Sequence, residues 1–162
     1  YIAERRDDND WRGCNVTIPH KLAVMDLVGD PGDIRGTIGA MNTIVRQKDG
    51  ALIGTNTDAA GFYSPLAELD LEGAPVAVVG AGGAARAVLF ALARAGVGHV
   101  TIFNRSPLKA MGLLATFGLK GDVLALDADV ETRGAMKLLG AVIRGAIAKE
   151  DGGQLDRLAA IL

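Results

Sequence analysis

The spacing of apolar and polar positions changes character near residue 72. Before it, the pattern is short and irregular. CNVTI, 14 to 18, reads as a short buried strand. Pro19 then suits the first turn of a helix through HKLAVMDL, where its missing N–H is one a helix cannot pair anyway, and the Lys21 side chain would leave that strand-to-helix junction. GDPGD, 29 to 33, is a turn by composition. Two β-rich pieces follow, MNTIVRQ and ALIGT, separated by Lys48, Asp49 and Gly50, a spacing that predicts a hairpin. Thr57 or Asp58 can cap a helix continuing through Gly61 to Leu69, and EGAP, 72 to 75, marks a boundary.

From Pro75 the order becomes regular: apolar strand PVAVVG, glycine turn, helix ARAVLFALARAG, strand HVTIFN, helix PLKAMGLLATFG and strand DVLAL. Strands alternating with helices of this length imply a parallel sheet with right-handed crossovers, hence an α/β class of Rossmann-like type. Met136, Leu139, Ile143 and Ile147 stand at helical spacing and predict a helix over 134–148, with another near Leu155 to Leu162. Two units follow, 1–71 and 72–162.

Composition narrows the function classes. The chain is 49% hydrophobic and 22% charged, so its 162 residues can close one sizeable core or two small ones. Seventeen Lys and Arg against nineteen Asp and Glu, clustered only in the mixed stretch Glu4 to Asp10, argue against a nucleic-acid or membrane-surface footprint. The single cysteine, Cys14, cannot form an intrachain disulfide; it reads as a small buried hydrophobe and favours a reducing, cytoplasmic compartment. No apolar run reaches the roughly 18 residues of a membrane span, and no metal site is read. The opening YIAERRDD has neither an initiator Met nor the order of a signal peptide, and predicts a fragment.

Gly80, Gly82 and Ala85 stand in the form G-x-G-x-x-A between an apolar strand and a helix. Gly80 allows the tight turn, Gly82 lets backbone approach a pyrophosphate, and Ala85 permits close helix-to-strand packing. Gly80, Ala81, Gly82, Gly83 and Ala84 are therefore candidate dinucleotide contacts, with the helix N-terminus facing the anion. Such a turn also arises for packing alone. NAD-preferring sites put a carboxylate about 20 residues further on. Here the second strand ends in Asn104, Arg105 and Ser106 without an acid, a set suited to a 2′-phosphate through charge-assisted guanidinium bonds. NADP is the expected cofactor; the plain alternative makes Arg105 a solvated strand end and Asn104 a turn former.

Upstream, Thr17, Lys21, Asn42 and Asp58 each have an ordinary reading as strand, solvated helix, turn and cap residues. Each also sits at a strand end or helix start, where sheet-based sites collect their ligands.

GCNVTIPHK, IGAMNTIV, GTNTDAAGF, VVGAGGAARAV and IFNR, in this order, resemble the shikimate dehydrogenase family, including its shikimate/quinate members. The resemblance implies a partial substrate-binding α/β domain over 1–71, followed by an NADP-binding Rossmann-like domain over 72–162, and is lost after about residue 127. It implies NADPH-dependent, reversible reduction of 3-dehydroshikimate to shikimate, a step of aromatic amino-acid biosynthesis, or the quinate-type equivalent. It makes Lys21 and Asp58 the catalytic pair and puts substrate contacts on Thr17 and Asn42, with Asn15 and Asn56 in support. The expected partner is the small-molecule substrate, and a homodimer is compatible with it.

Two departures qualify the expectation. The family opens with a βα unit carrying a Ser-x-Ser carboxylate clamp, and the chain begins after it. Beyond about residue 127 neither the expected N-A-T-P/S-x-G-like loop nor the late glutamine helix is found; Gln154 lies in GGQLDR, which does not match. A non-catalytic dinucleotide-binding remnant is the alternative from a different class. An apolar α/β interaction module explains the packing residues but leaves the polar set unexplained.

Overall fold

The computed structural model describes residues 1–126, so the helices expected over 134–148 and 155–162 lie outside the described residues. Two compact units are formed, one by Tyr1–Asp70 with Ala81–Ala95, the other by Leu71–Gly80 with the described residues from Gly96 onward.

In the first unit β1 (Gly13–Asn15), β2 (Thr43–Arg46) and β3 (Leu52–Thr55) make an antiparallel sheet in that order, and β2 and β3 are the expected hairpin. Its loop closes through the Gln47 N–H on the Ala51 carbonyl (2.8 Å) and the Ala51 N–H on Asp49 Oδ1 (3.0 Å), with Gly50 at φ +87°, a backbone shape glycine adopts without steric cost. Ile44 and Leu52 point into a core completed by Val24 and Met41, on which Trp11, Cys14, Val16 and Val28 pack. Cys14 is half-buried, and that burial pushes its thiol pKa up, away from thiolate.

Gly54, on β3, exists to make room for Met41. A Cβ there would collide with Met41 Sδ and stand 2.8 Å from Val28 Cγ2. Gly54→Ala is expected to cost about 1–3 kcal/mol in urea unfolding through overpacking. Gly61→Ala, at a helical site where a Cβ meets nothing within 4 Å, should instead stabilise by about 0.5–1 kcal/mol.

Three local expectations are corrected. CNVTI is neither wholly strand nor wholly buried: β1 stops at Asn15, and Ile18 is 72% exposed. The peptide bond Ile18–Pro19 is cis, and no α-helix follows it; a turn from the His20 N–H to the Thr17 carbonyl leads into a 3-10 helix, Ala23–Asp26. The cause is a competing long-range bond. The Lys21 carbonyl is taken by the Met41 N–H (2.8 Å), and the Met25 N–H turns to Leu22, three residues back. The helix after Thr57 also ends early. α3, as numbered after α1 (Ile2–Arg5) and α2 (Ile34–Thr37), spans Asp58–Tyr63 and gives way at Pro65 to a 3-10 turn, Ser64–Leu66. Neither Thr57 nor Asp58 caps α3 with its side chain. Asn56 Oδ1 does, accepting from the Asp58 and Ala59 N–H groups at 2.9 and 3.2 Å.

α4 (Gly83–Arg94) belongs to the first unit, where Ala59 of α3 and Ala87 of α4 share a cluster with Ile38 and Ala40. Small residues on facing helices allow close approach.

In the second unit β4 (Pro75–Val79), β5 (His99–Asn104) and β6 (Gly121–Ala125) form the expected parallel sheet, in the order β4-β5-β6. Val78, Val100, Ile102 and Phe103 are buried on it, and α5 (Pro107–Thr116) contributes buried Ala110, Leu113 and Leu114. Among the described residues no helix is long and apolar enough to cross a membrane.

Candidate active site

Strand register gathers the polar residues of the first unit. Asn15 pairs with Thr43 and Thr43 with Thr55, so the segments 15–17, 42–43 and 56–58 all leave the sheet at one end. The Val16 N–H donates to the Asn42 carbonyl (2.6 Å) and the Asn42 N–H to the Thr55 carbonyl (3.0 Å), which extends the ladder just past the strands. The Met41 N–H then binds the Lys21 carbonyl and brings the Lys21 backbone to the same end.

There Lys21 Nζ meets Asp58 Oδ2 at 2.6 Å, with the lysine side chain only 12% exposed and the aspartate 31%. A charged group that buried needs its counter-ion close. Asp58 stands at the first residue of α3, where the helix dipole favours an anion. Its other oxygen, Oδ1, accepts from Asn42 Nδ2 at 2.7 Å. Asn42 is itself held on every side: Nδ2 also donates to Thr57 Oγ1 (2.9 Å), and its Oδ1 accepts from Thr43 Oγ1 and the Thr57 N–H (both 3.0 Å). Asn56 binds the Ala40 carbonyl through Nδ2 (2.8 Å) while its oxygen caps α3. Asn15 and Thr17 lie exposed beside this set, their side chains without hydrogen bonds among the described residues. The arrangement presents an ammonium backed by a fixed carboxylate, able to hand a proton to an oxygen placed within reach of Nζ.

The glycine turn divides between the units. Gly80, in the second, has φ +100° and donates its N–H to the Phe103 carbonyl (2.7 Å), which seats it beside the end of β5. A Cβ at Gly80 or Gly82 would meet nothing within 4 Å, so both positions leave open space at the backbone. Gly82 precedes α4, whose first-turn N–H groups around Gly83 and Ala84 have no partners within a helix. At the end of β5, Asn104 Nδ2 closes a turn on the Ser106 carbonyl (2.8 Å). Arg105 and Ser106 are exposed, and their side chains make no hydrogen bond or ion pair among the described residues. A bare backbone and an uncommitted guanidinium fit a dinucleotide phosphate and a 2′-phosphate respectively.

Residues 1–44 match the model of the shikimate dehydrogenase substrate binding domain, and residues 65–133 that of shikimate / quinate 5-dehydrogenase. The shikimate dehydrogenase (NADP(+)) of Sphingopyxis alaskensis is 89% identical over 128 residues, 79% of this chain and 47% of that protein. The chain belongs to the shikimate dehydrogenase family. It spans just under half the length of that curated relative. Among solved structures, shikimate 5-dehydrogenase from Thermus thermophilus in complex with NADP(H) and shikimate superposes with a TM-score of 0.62 at 40% identity, over 74% of this chain and 45% of that one. The ligand-free 5-ketofructose reductase of a Gluconobacter strain does so at 0.63 and 37% identity, over 78% and 47%.

Shikimate dehydrogenase motifs in the sequence point to Lys21, Asp58 and Asn42, and the structure brings these three into one network. Thr43 and the Thr57 backbone, which orient Asn42, were not foreseen as site residues. Their signal is the dipeptide Asn-Thr, present twice at paired strand ends, 42–43 and 56–57.

Proposed function

We propose that the protein catalyses NADPH-dependent, reversible reduction of 3-dehydroshikimate to shikimate, with Lys21 and Asp58 as its catalytic residues. The observation that carries this reading is the half-buried Lys21–Asp58 pair at 2.6 Å, set at the sheet end where Asn15, Thr17, Asn42 and Asn56 also collect. The names of the Sphingopyxis and Thermus proteins support the substrate and cofactor. NADPH, when bound, supplies the hydride to the ketone carbon. As negative charge grows on the ketone oxygen, Lys21 stabilises it and donates the proton. Asp58 holds Nζ in place and accepts a hydrogen bond from the neighbouring substrate hydroxyl. Thr17 and Asn15, whose side chains make no hydrogen bonds among the described residues, bind the ring hydroxyls or carboxylate. Asn42 and Asn56 position Asp58 and α3, and a substrate contact by Asn42 requires one of its internal bonds to exchange.

For the cofactor, Asn104, Arg105 and Ser106, at the end of β5, take the adenosine ribose with its 2′-phosphate, and the backbone at Gly80, held beside that strand end by its N–H on the Phe103 carbonyl, takes a pyrophosphate oxygen. Arg105→Ala should weaken NADPH binding about tenfold or more and leave NADH binding nearly unchanged, as read by nicotinamide fluorescence titration. Equal losses for both cofactors would remove Arg105 from the 2′-phosphate site.

The reading is tested by the fall in nicotinamide absorbance after 3-dehydroshikimate is added to protein and NADPH, with 3-dehydroquinate run alongside. Turnover of the first substrate supports the proposal, and preference for the second moves it to the quinate-type reaction. Tight NADPH binding without turnover of either would leave a dinucleotide-binding remnant.

A further inference from the structure

Three glycines of the turn have different reasons to be glycine. Gly80 has the left-handed backbone that disfavours a side chain, and Gly82 faces open space. Gly83 has neither. It is buried, it is the first residue of α4, its φ lies outside the left-handed region, and helix propensity would favour alanine there. What occupies the place of its missing side chain is Lys21: a Cβ at Gly83 would stand 3.1 Å from Lys21 Cβ, 3.2 Å from Lys21 Cδ and 3.6 Å from Leu22 Cδ1.

We infer that Gly83 is a positioning residue for Lys21, the missing side chain at the start of α4 being the seat on which the lysine stem rests. The inference builds on the reading of Lys21 as proton donor. The stem is fixed at both ends, at the backbone by the Met41 N–H on the Lys21 carbonyl (2.8 Å) and at the tip by Asp58 (2.6 Å). Asp58 is in turn fixed by Asn42. A methyl group at position 83 pushes on the stem between those two anchors. The near atom is Cβ, which cannot swing away without moving backbone, so the shift of a few tenths of an ångström passes to Nζ. A proton donor moved off its line loses rate steeply. The helix that begins at the glycine turn would thus set the position of the proton donor in the same unit.

The test is Gly83→Ala, made alone and in a Lys21→Ala background, with folding checked by circular dichroism. Alone, it should lower kcat for 3-dehydroshikimate at saturating NADPH about tenfold to a hundredfold and have little further effect once Lys21 is alanine. Independently of turnover, acylation of Lys21 by an amine reagent, followed by peptide mass spectrometry, should speed up severalfold as Nζ leaves Asp58. Should Gly83→Ala not fold, the double variant Gly83→Ala/Leu22→Ala opens room beside position 83 and carries the same readouts. An unchanged acylation rate overturns the inference. So does a rate loss that persists without Lys21, or one explained by weaker NADPH binding, because Gly83 would then act through the cofactor. If the parent protein binds NADPH but does not reduce the ketone, the proposed function fails, and the acylation result still decides the role of Gly83.

Discussion

Lys21→Ala is expected to lower kcat for 3-dehydroshikimate reduction by about 10²–10⁴-fold, the range of a lost general acid, with NADPH affinity little changed. The expectation rests on position. Nζ is the one cation placed on Asp58 in the described residues, and its side chain is 12% exposed, so water cannot substitute freely as donor at the same point. Removing it also withdraws the charge that meets the developing alkoxide. Lys21→Arg should not restore the rate, because a guanidinium does not give up its proton readily. Steady-state absorbance with saturating NADPH reads the kcat term directly, and a wild-type kcat in Lys21→Ala would remove the lysine from proton transfer.

Asp58→Asn carries the second large effect, because it keeps the volume and removes the charge. Lys21 Nζ then has no anion, and Asn42 Nδ2, which donates to Asp58 Oδ1 at 2.7 Å, must compete for a neutral acceptor. The loss should appear twice. Turnover falls about 10²-fold or more as Nζ loses its fixed orientation, and stability falls about 1–3 kcal/mol from the stranded ammonium and the weakened network. Urea unfolding beside kinetics separates the two. A variant that loses stability but keeps its rate would make Asp58 a structural partner only.

What could be read in the sequence follows the range of the interactions involved. The βαβαβ stretch from Pro75 to Leu126 was legible because its strands and helices are specified by local periodicity and by turns at Gly80 and Gly118. The hairpin around Lys48, Asp49 and Gly50 was legible for the same reason. The segment after Pro19 was not, since the bond that diverts it, Met41 N–H to Lys21 carbonyl, joins residues twenty apart and leaves no periodic trace. The cap of α3 lies one or two residues earlier than its sequence suggests: Thr57 and Asp58 have capping side chains, yet Asp58 turns to Lys21 and Asn56 takes the cap. At the site, motif residues identify Lys21, Asn42 and Asp58, but why they meet depends on the register Thr43 to Thr55, which alternation alone fixes only to within steps of two residues. The seat at Gly83 was invisible. Its place in a glycine motif suggests phosphate contact, and only the three-dimensional packing puts the Lys21 stem against it.

The central claim is that Lys21 and Asp58 work as one proton-delivering unit, and a double-mutant cycle on kcat/KM for 3-dehydroshikimate addresses it directly. Residues acting as a unit are grossly non-additive. Lys21→Ala, Asp58→Ala and the combined variant should therefore lie within about tenfold of one another, since the first substitution already disables the pair. If the two losses multiply in the combined variant, the residues contribute independently, and the paired mechanism is wrong.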